Sequence, residues 1–426
     1  MSRRLWFILL ILLCFILFTT LTYLLLVSKS GYPVHNLSTG LNYANIQAAI
    51  DAPETLDGHT ILINAQTYYE HVVVKKSLLL IGESEDHTII DGNGTGNIIH
   101  IITSNVTIKN LTVKNGTIGV YVDYSNNSCV TKIIAIKNTD AIIVRYSHNC
   151  TIQQSIVGNN TGRGILITNS QGFNINNNNV YGNQMYGINA NFSVSGSIKQ
   201  NEANKNYYDG IGMFDSGDCV VTENNVSNSS LYGIIVEGSY NLSIYNNNFI
   251  NNPDGQAGYA GLRRALWDNG YPSGGNYWSN YAETDLASGP FQNETGSDGI
   301  GDTPYKIDAN NTDNYPLIGM FWSFNTAYDY GVNIVSNSLI SDFGFSLSGA
   351  RQAMLTFNVS GATGTQGFCR ICIPKALINA SYVVNFDGEI LTYKELPCSN
   401  ETYEYLYINY TQSEHKIEIT GTTPIA

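Results

Sequence analysis

Between residues 106 and 249 apolar residues return at a nearly fixed interval, with polar residues between them. One column reads Val106, Cys129, Cys150, Phe173, Gly196, Cys219 and Leu242. Two positions on stand Ile108, Thr131, Ile152, Ile175, Ile198, Val221 and Ile244, and a third column runs Val113, Ile136, Val157, Val180, Ala203, Val226 and Phe249. A fourth is mostly glycine (Gly119, Ala141, Gly164, Gly187, Gly210, Gly233), each followed at once by Val or Ile. The period is about 23 residues, so each copy holds three short strands and the turns between them. A unit that short cannot bury its own apolar face, and copies must stack into one continuous core. The pattern therefore predicts an all-β fold, a right-handed parallel β-helix. Stacked rungs lie about 4.8 Å apart, which lines up equivalent side chains along the axis. Asn178, Asn201, Asn224 and Asn247 should form one such ladder and Asn160, Asn183 and Asn206 another, as hydrogen-bonded turn amides.

The flanks read differently. Asn42 to Ala52 has the spacing of a short amphipathic helix, with Ile46, Ala49 and Ile50 on one face and Asn42 as N-cap, placed to cover the open end of the solenoid. First rungs follow at 60–64, 72–74, 78–81 and 88–90. Residues 251–320 break the repeat with glycines, aromatics and aspartates, forming a cap over the last rung. From 321 to 426 runs such as "AMLTFNVSG", "GFCRICIP" and "EYLYINYT" predict a β-sandwich. Residues 1–30 form a separate segment, and 31–250 the helix with its N-terminal cap.

Leu5 to Val27 carries no charge over 23 residues, enough at about 1.5 Å each to span a hydrocarbon core of about 30 Å. Arg3 and Arg4 hold its start in the cytoplasm, which makes it a signal anchor, with everything from Ser28 onward on the extracellular face. Cleavage of the segment and secretion is the alternative. Eighteen Asn-x-Ser/Thr sequons agree with an external location. Net charge is -13, with only 21 Lys and Arg, and no basic cluster follows Arg4; this argues against nucleic acid as partner.

The stretches "NIQAAIDAPETLDGHTILINAQTYYEHVVVKKSLLLIGE" and "TIIDGNGTGN", with repeats such as "GILITNSQGFNINNNNVYGN", resemble the NosD-type β-helix proteins. These belong to the carbohydrate-binding and sugar-hydrolase (CASH) group common in archaeal surface proteins. "GGNYWSNY" followed by "GSDGIGDTPYKIDANNTDNYPL" is similar to the segment that ends the helix there. The resemblance covers roughly residues 32 to 318 and implies a surface β-helix without specifying a reaction. Enzymes on this scaffold carry motifs such as Asp-Pro-His-Asp, which are absent here. The family name implies copper delivery, yet the seven histidines are dispersed and show no ligand spacing.

Candidate chemistry concentrates in three places. The residue before each fourth-column position gives Asp140, Arg163, Tyr186, Asp209 and Tyr232, an outward column in which tyrosines can stack on sugar rings and acids bind hydroxyls. Should the chain act on polysaccharide as a lyase, hydrolase or epimerase, Asp209 is its acid or base and Arg163 the charge partner. Asp298, Asp302, Asp308, Asn310 and Asp313 supply oxygen ligands of the kind Ca²⁺ takes, with Asp-capped turns as the alternative. Cys369 or Cys372 can pair with Cys398 in an external disulfide. The expected function is a membrane-anchored surface protein that binds glycan or surface-layer components, adhesive or structural; the alternative is a polysaccharide-active enzyme.

Overall fold

A computed structural model describes residues 31–261, 263–348 and 352–424. The Leu5 to Val27 run lies outside them, and among the described residues no helix is long and apolar enough to cross a membrane. The fold is an all-β parallel solenoid of about nine turns with rungs of about 23 residues, followed by antiparallel sheets. The chain divides into two compact units after Asn174.

In the first unit Thr107–Lys114 pairs in parallel with Cys129–Ile136, and Ile118–Asp123 pairs with Asp140–Arg145, itself parallel to Ile165–Thr168. Alternate residues face the core because successive strand side chains point to opposite faces; Val120, Val122, Ile142, Val144, Ile165 and Ile167 are all buried. One rung departs from the expected register. Cys129 pairs with Thr107 and Thr151, so Ser128 stands in the inner column between Val106 and Cys150, and Cys129 is only half-buried. Val130 and Ala135, fully buried, take the inner positions expected for Thr131 and Ile136. The buried serine is accommodated because its hydroxyl accepts from Val106 N–H at 3.1 Å and meets Ser125 Oγ at 2.7 Å. Matching apolar letters selected the cysteine; hydrogen bonding selects the serine.

The covering helix is Ile46–Asp51, with Ile46, Ala49 and Ile50 buried as expected. Its N-cap is Asn45, not Asn42, and the Asn45 side chain accepts from Ala48 N–H at 2.8 Å. Asn42 is committed instead to Leu41–Tyr43, a strand antiparallel to Val34–Asn36. Glu70 completes the cap, one carboxylate oxygen accepting from Ile46 N–H and the other from Gln47 N–H, both at 3.1 Å. Negative charge there also answers the positive end of the helix dipole.

The second unit keeps a strict 23-residue register through Ile188–Asn191, Ile211–Phe214, Tyr232–Glu237 and Gly255–Ala260. Its asparagine ladder is continuous: Asn178 donates to Asn201 at 2.9 Å, Asn201 to Asn224 at 3.0 Å, Asn224 to Asn247 at 2.9 Å and Asn247 to Asn276 at 2.9 Å. Asn276 lies beyond the repeat, so the cap segment continues the ladder. In the second predicted ladder, Asn183 donates to Asn206 at 3.0 Å. In the first unit, Asn160 accepts from Asn138 N–H at 2.9 Å.

Over the last rungs Trp278 stacks between Phe249 (centroids 4.9 Å) and Tyr305 (4.5 Å), and Trp267 lies 6.0 Å from Trp278. Both indoles are buried. Further on, Met320–Asn325, Gly331–Ser336, Gln366–Pro374, Tyr403–Thr411 and Lys394–Glu395 make one antiparallel sheet. Leu339–Ser348, Gln352–Ser360, Glu414–Thr422, Asn379–Phe386 and Glu389–Leu391 make another. Residues from both, including Ile334, Ile371, Leu355 and Ile417, share one apolar core.

Candidate carbohydrate-binding face

In the first unit the strands Asn97–Ile101, Ile118–Asp123, Asp140–Arg145 and Ile165–Thr168 point their odd-phase residues away from the core. The register lines up His100, Tyr121, Ile143 and Leu166 in one outward row, and Asp123 and Arg145 in the next. His100 and Tyr121 stack at 4.9 Å, with ring planes 11° apart. Arg145 makes a fork on Asp123, Nε to Oδ1 at 3.1 Å and Nη2 to Oδ2 at 3.2 Å. The same guanidinium lies 5.3 Å from the Tyr121 centroid and 5.2 Å from that of Tyr146. Burial holds the His100 imidazole below its ordinary range, so the ring is neutral at pH 7.

Beside this row two tyrosines form a platform. Tyr124 and Tyr146 stack at 4.8 Å and are 66% and 40% exposed. Both have left-handed backbones, φ 50° and 49°, a conformation bulky side chains rarely adopt. The next rung of the unit places Asn169 at this phase, φ 50°, a residue that tolerates it. The same left-handed turn recurs at this phase in the second unit, at Phe192 (φ 49°), Asp215 (φ 45°) and Gly238 (φ 62°), so it is the turn geometry of the rung and marks no site by itself. The exposed part of this stacked pair, next to a neutralised Arg–Asp fork, offers apolar ring surface to a sugar while the fork takes its hydroxyls.

The expected outward column is placed as follows. In the first unit Arg163 ion-pairs with Asp140 at 3.6 Å, and Asp140 also accepts from Arg163 N–H at 2.8 Å. In the second unit Asp209 accepts from Tyr232 N–H at 2.8 Å, the same bond one rung ahead. These acids brace successive rungs. Asp209 is only 4% exposed, and burial pushes its carboxyl up to about 6. Tyr186 sits edge-on to Tyr208 and Phe214, both at 5.5 Å. The Tyr232 ring covers Gly255 and Gly258, where any Cβ would come within 3.1–3.2 Å of it. Both tyrosines are half-buried. The platform residues 124 and 146 and the row 100, 121, 123 and 145 escaped the sequence reading, although Asp123 and Arg145 are opposite charges 22 residues apart, one rung, and Tyr124 and Tyr146 share that spacing.

The four carboxylates among the five oxygen-bearing residues of the cap each accept from N–H groups of their own, and Asn310 shares the turn of Asp308. Asp298 accepts from Ile300 N–H at 3.1 Å, Asp302 from Leu286 and Ala287 N–H at 2.9 and 3.0 Å, and Asp308 from Asn310 and Asn311 N–H at 2.6 and 2.8 Å. Asp313 accepts from Asn276 N–H at 2.8 Å, Trp278 Nε1 at 2.9 Å and Tyr315 N–H at 3.1 Å. N–H donors thus occupy the lone pairs that Ca²⁺ would need, and Asn310 contributes its backbone rather than its amide oxygen. Among the described residues no three His, Cys, Asp or Glu side chains gather as a metal group. The histidines are dispersed here too: His35 meets Asn42, His87 meets Ser84 and His415 meets Asp387.

These buried acids make stability depend on pH. Burial pushes Asp285 and Asp313 up to about 7 and Asp209 up to about 6. A carboxyl whose folded pKa lies above its unfolded value, about 3.9, binds more protons folded than unfolded between the two, so its contribution is lost as pH rises through that window. We expect the urea midpoint to fall between pH 4.5 and 7.5, and Asp285→Asn to remove part of the fall. A midpoint that rises across this range would contradict the assignment.

The six described cysteines, Cys369, Cys372 and Cys398 among them, stand as free thiols in this structure. Cys369 belongs to the core between the two C-terminal sheets, whereas Cys372 and Cys398 pack against a separate cluster around Tyr405 and Tyr407. Alternation along Gln366–Pro374 sends the two strand cysteines to opposite faces.

Residues 81–283 match the family model described as periplasmic copper-binding protein (NosD). A cell surface glycoprotein of Methanothermus fervidus is 35% identical over 120 residues, which cover 27% of this chain and 20% of the relative. The match thus spans about a fifth of that relative's length. Among solved structures, the A-module of an Azotobacter vinelandii mannuronan C-5 epimerase is 17% identical, covering 60% of this chain and 82% of the other, with a TM-score of 0.43. The enzymatically active domain of bacteriophage CBA120 tailspike protein 2 is 11% identical, covering 85% and 69%, with a TM-score of 0.45. Residues 81–283, which hold the asparagine ladder and most of the 23-residue rungs, thus resemble a NosD-family β-helix domain.

Proposed function

We propose that this chain is a cell-surface protein whose solenoid is right-handed, the hand taken by about 98% of parallel crossovers, and which binds glycan on the outer face of its first unit. The observation that carries the reading is the stacked, exposed pair Tyr124 and Tyr146 beside the Arg145–Asp123 fork. A relative named as a cell surface glycoprotein supports the location. The uncharged Leu5 to Val27 run supports an anchor in the membrane. Half-buried Tyr186 and Tyr232 offer ring edges for secondary contact, and the buried Asp209 serves the rungs.

The test is a glycan array probed with the full chain in detergent micelles. Tyr124→Ala with Tyr146→Ala should weaken binding about tenfold or more, the scale of two lost aromatic contacts, whereas Asp209→Asn should leave it unchanged. Binding indifferent to the tyrosine pair would sink the platform. Release of unsaturated or reducing ends from a bound polysaccharide would favour the enzyme instead. In the same preparation, extraction of the chain from membranes at alkaline pH would rule out the anchor.

A further inference from the structure

The second unit contains a groove of about 570 Å³ whose lining includes Gln200, Glu202, Glu223 and Asn225 on consecutive solenoid turns, and Trp322 and Ser323 on the first C-terminal strand. It is preformed. Asn248 clamps the strand to the solenoid, donating to Phe321 O at 2.8 Å and accepting from Phe321 N–H at 2.7 Å. Glu223 is fixed by Lys199 at 2.9 Å and by Gln200 Nε2 at 2.8 Å. A volume of this size lies within the range of small-ligand sites, which favour such junctions.

We propose that this groove binds a short neutral oligosaccharide. The half-buried Trp322 supplies an aromatic wall for the apolar face of a pyranose. Glu202 is exposed and has no side-chain partner among the described residues, so its carboxylate is open to accept from sugar hydroxyls. Two polar atoms of lining residues, Trp322 Nε1 and Asn225 Oδ1, are buried without partners; one is a donor and the other an acceptor, and a ligand hydroxyl reaches them only where the side chains turn toward the groove. Charge sets the ligand class. Lys199 neutralises Glu223, Glu202 leaves the groove negative, and the chain carries -13 overall, so an anionic sugar meets repulsion.

This goes beyond the first-unit platform and uses different residues, so the two readings fail separately. Calorimetric titration of the full chain in detergent micelles would use cellotetraose and mannotetraose as neutral probes and tetragalacturonate as the anionic one, with the Tyr124→Ala/Tyr146→Ala variant as background to silence the platform. We expect a neutral tetramer to bind there, with affinity falling about tenfold in Glu202→Gln on loss of a charged hydrogen bond and about tenfold in Trp322→Ala. Because Trp322 also packs against the C-terminal core, the exposed substitution Glu202→Gln carries the decision. No heat with either neutral probe, tighter binding of tetragalacturonate, or an unchanged Glu202→Gln would each overturn the assignment.

Discussion

Trp278→Ala is expected to destabilise the chain by about 3–5 kcal/mol, the cost of truncating a fully buried large aromatic. The indole is completely enclosed and sandwiched between Phe249 and Tyr305. Alanine would open a cavity directly over the last rungs, where exposed strand edges would otherwise invite pairing with other chains. The change also strips the indole N–H from Asp313, leaving that buried carboxylate with Asn276 and Tyr315 N–H as its remaining donors. Two penalties therefore fall on one residue. Urea unfolding followed by circular dichroism measures the sum, and a loss below about 1 kcal/mol, the scale of an ordinary surface substitution or less than a buried truncation, would show that the cap is not held by this stack.

A comparable loss, about 3–5 kcal/mol, is expected for Asn224→Ala, although asparagine contributes almost no apolar surface. Its side chain accepts from Asn201 N–H at 2.9 Å and from Asn201 Nδ2 at 3.0 Å. It donates to Ile198 O, Thr222 O and Asn247 Oδ1 at 2.8, 3.0 and 2.9 Å. All of these bonds are buried, and a buried polar group left without a partner costs about 1–3 kcal/mol. Asn179→Ala, on an exposed strand position, serves as the control and should stay within about 0.5 kcal/mol. Equal effects from the two substitutions would mean that the ladder decorates the turn and does not hold it.

Sequence periodicity reached the fold because a parallel solenoid repeats the same local requirement on each rung. The strand at 403–411 was legible from alternation, and the one at 72–74 from its run of valines. Where the reading slipped, the reason was local. Cys129 looked like the core residue because it is apolar, yet the adjacent Ser128 fits a rung of 22 residues and finds its own hydrogen bonds. Asn42 and Asn45 are equally good N-caps by residue type, and only the strand pairing at 41–43 removes the first. In the acidic cap region the sequence shows the carboxylates without their donors; folding delivers backbone N–H groups to Asp298, Asp302, Asp308 and Asp313.

Spacing along the chain was enough for the period, for the inward apolar columns on every rung but the one at Cys129, and for the Asn178 to Asn247 ladder, since each depends on spacing along one strand or from one rung to the next. Only the tertiary structure decided which outward residues meet. His100, Tyr121, Asp123, Arg145, Tyr124 and Tyr146 form one face because a strand of parallel register places them side by side, and Trp322 reaches Glu202 and Asn225 because the chain returns to the solenoid nearly a hundred residues later. Outward Tyr124, Tyr146 and Arg145 lie at positions of no inward apolar column, and Tyr121, Ile143 and Leu166 form a separate buried cluster on the outer side, so the core periodicity does not mark them. Their chemistry exists only once stacking has brought separate rungs within reach.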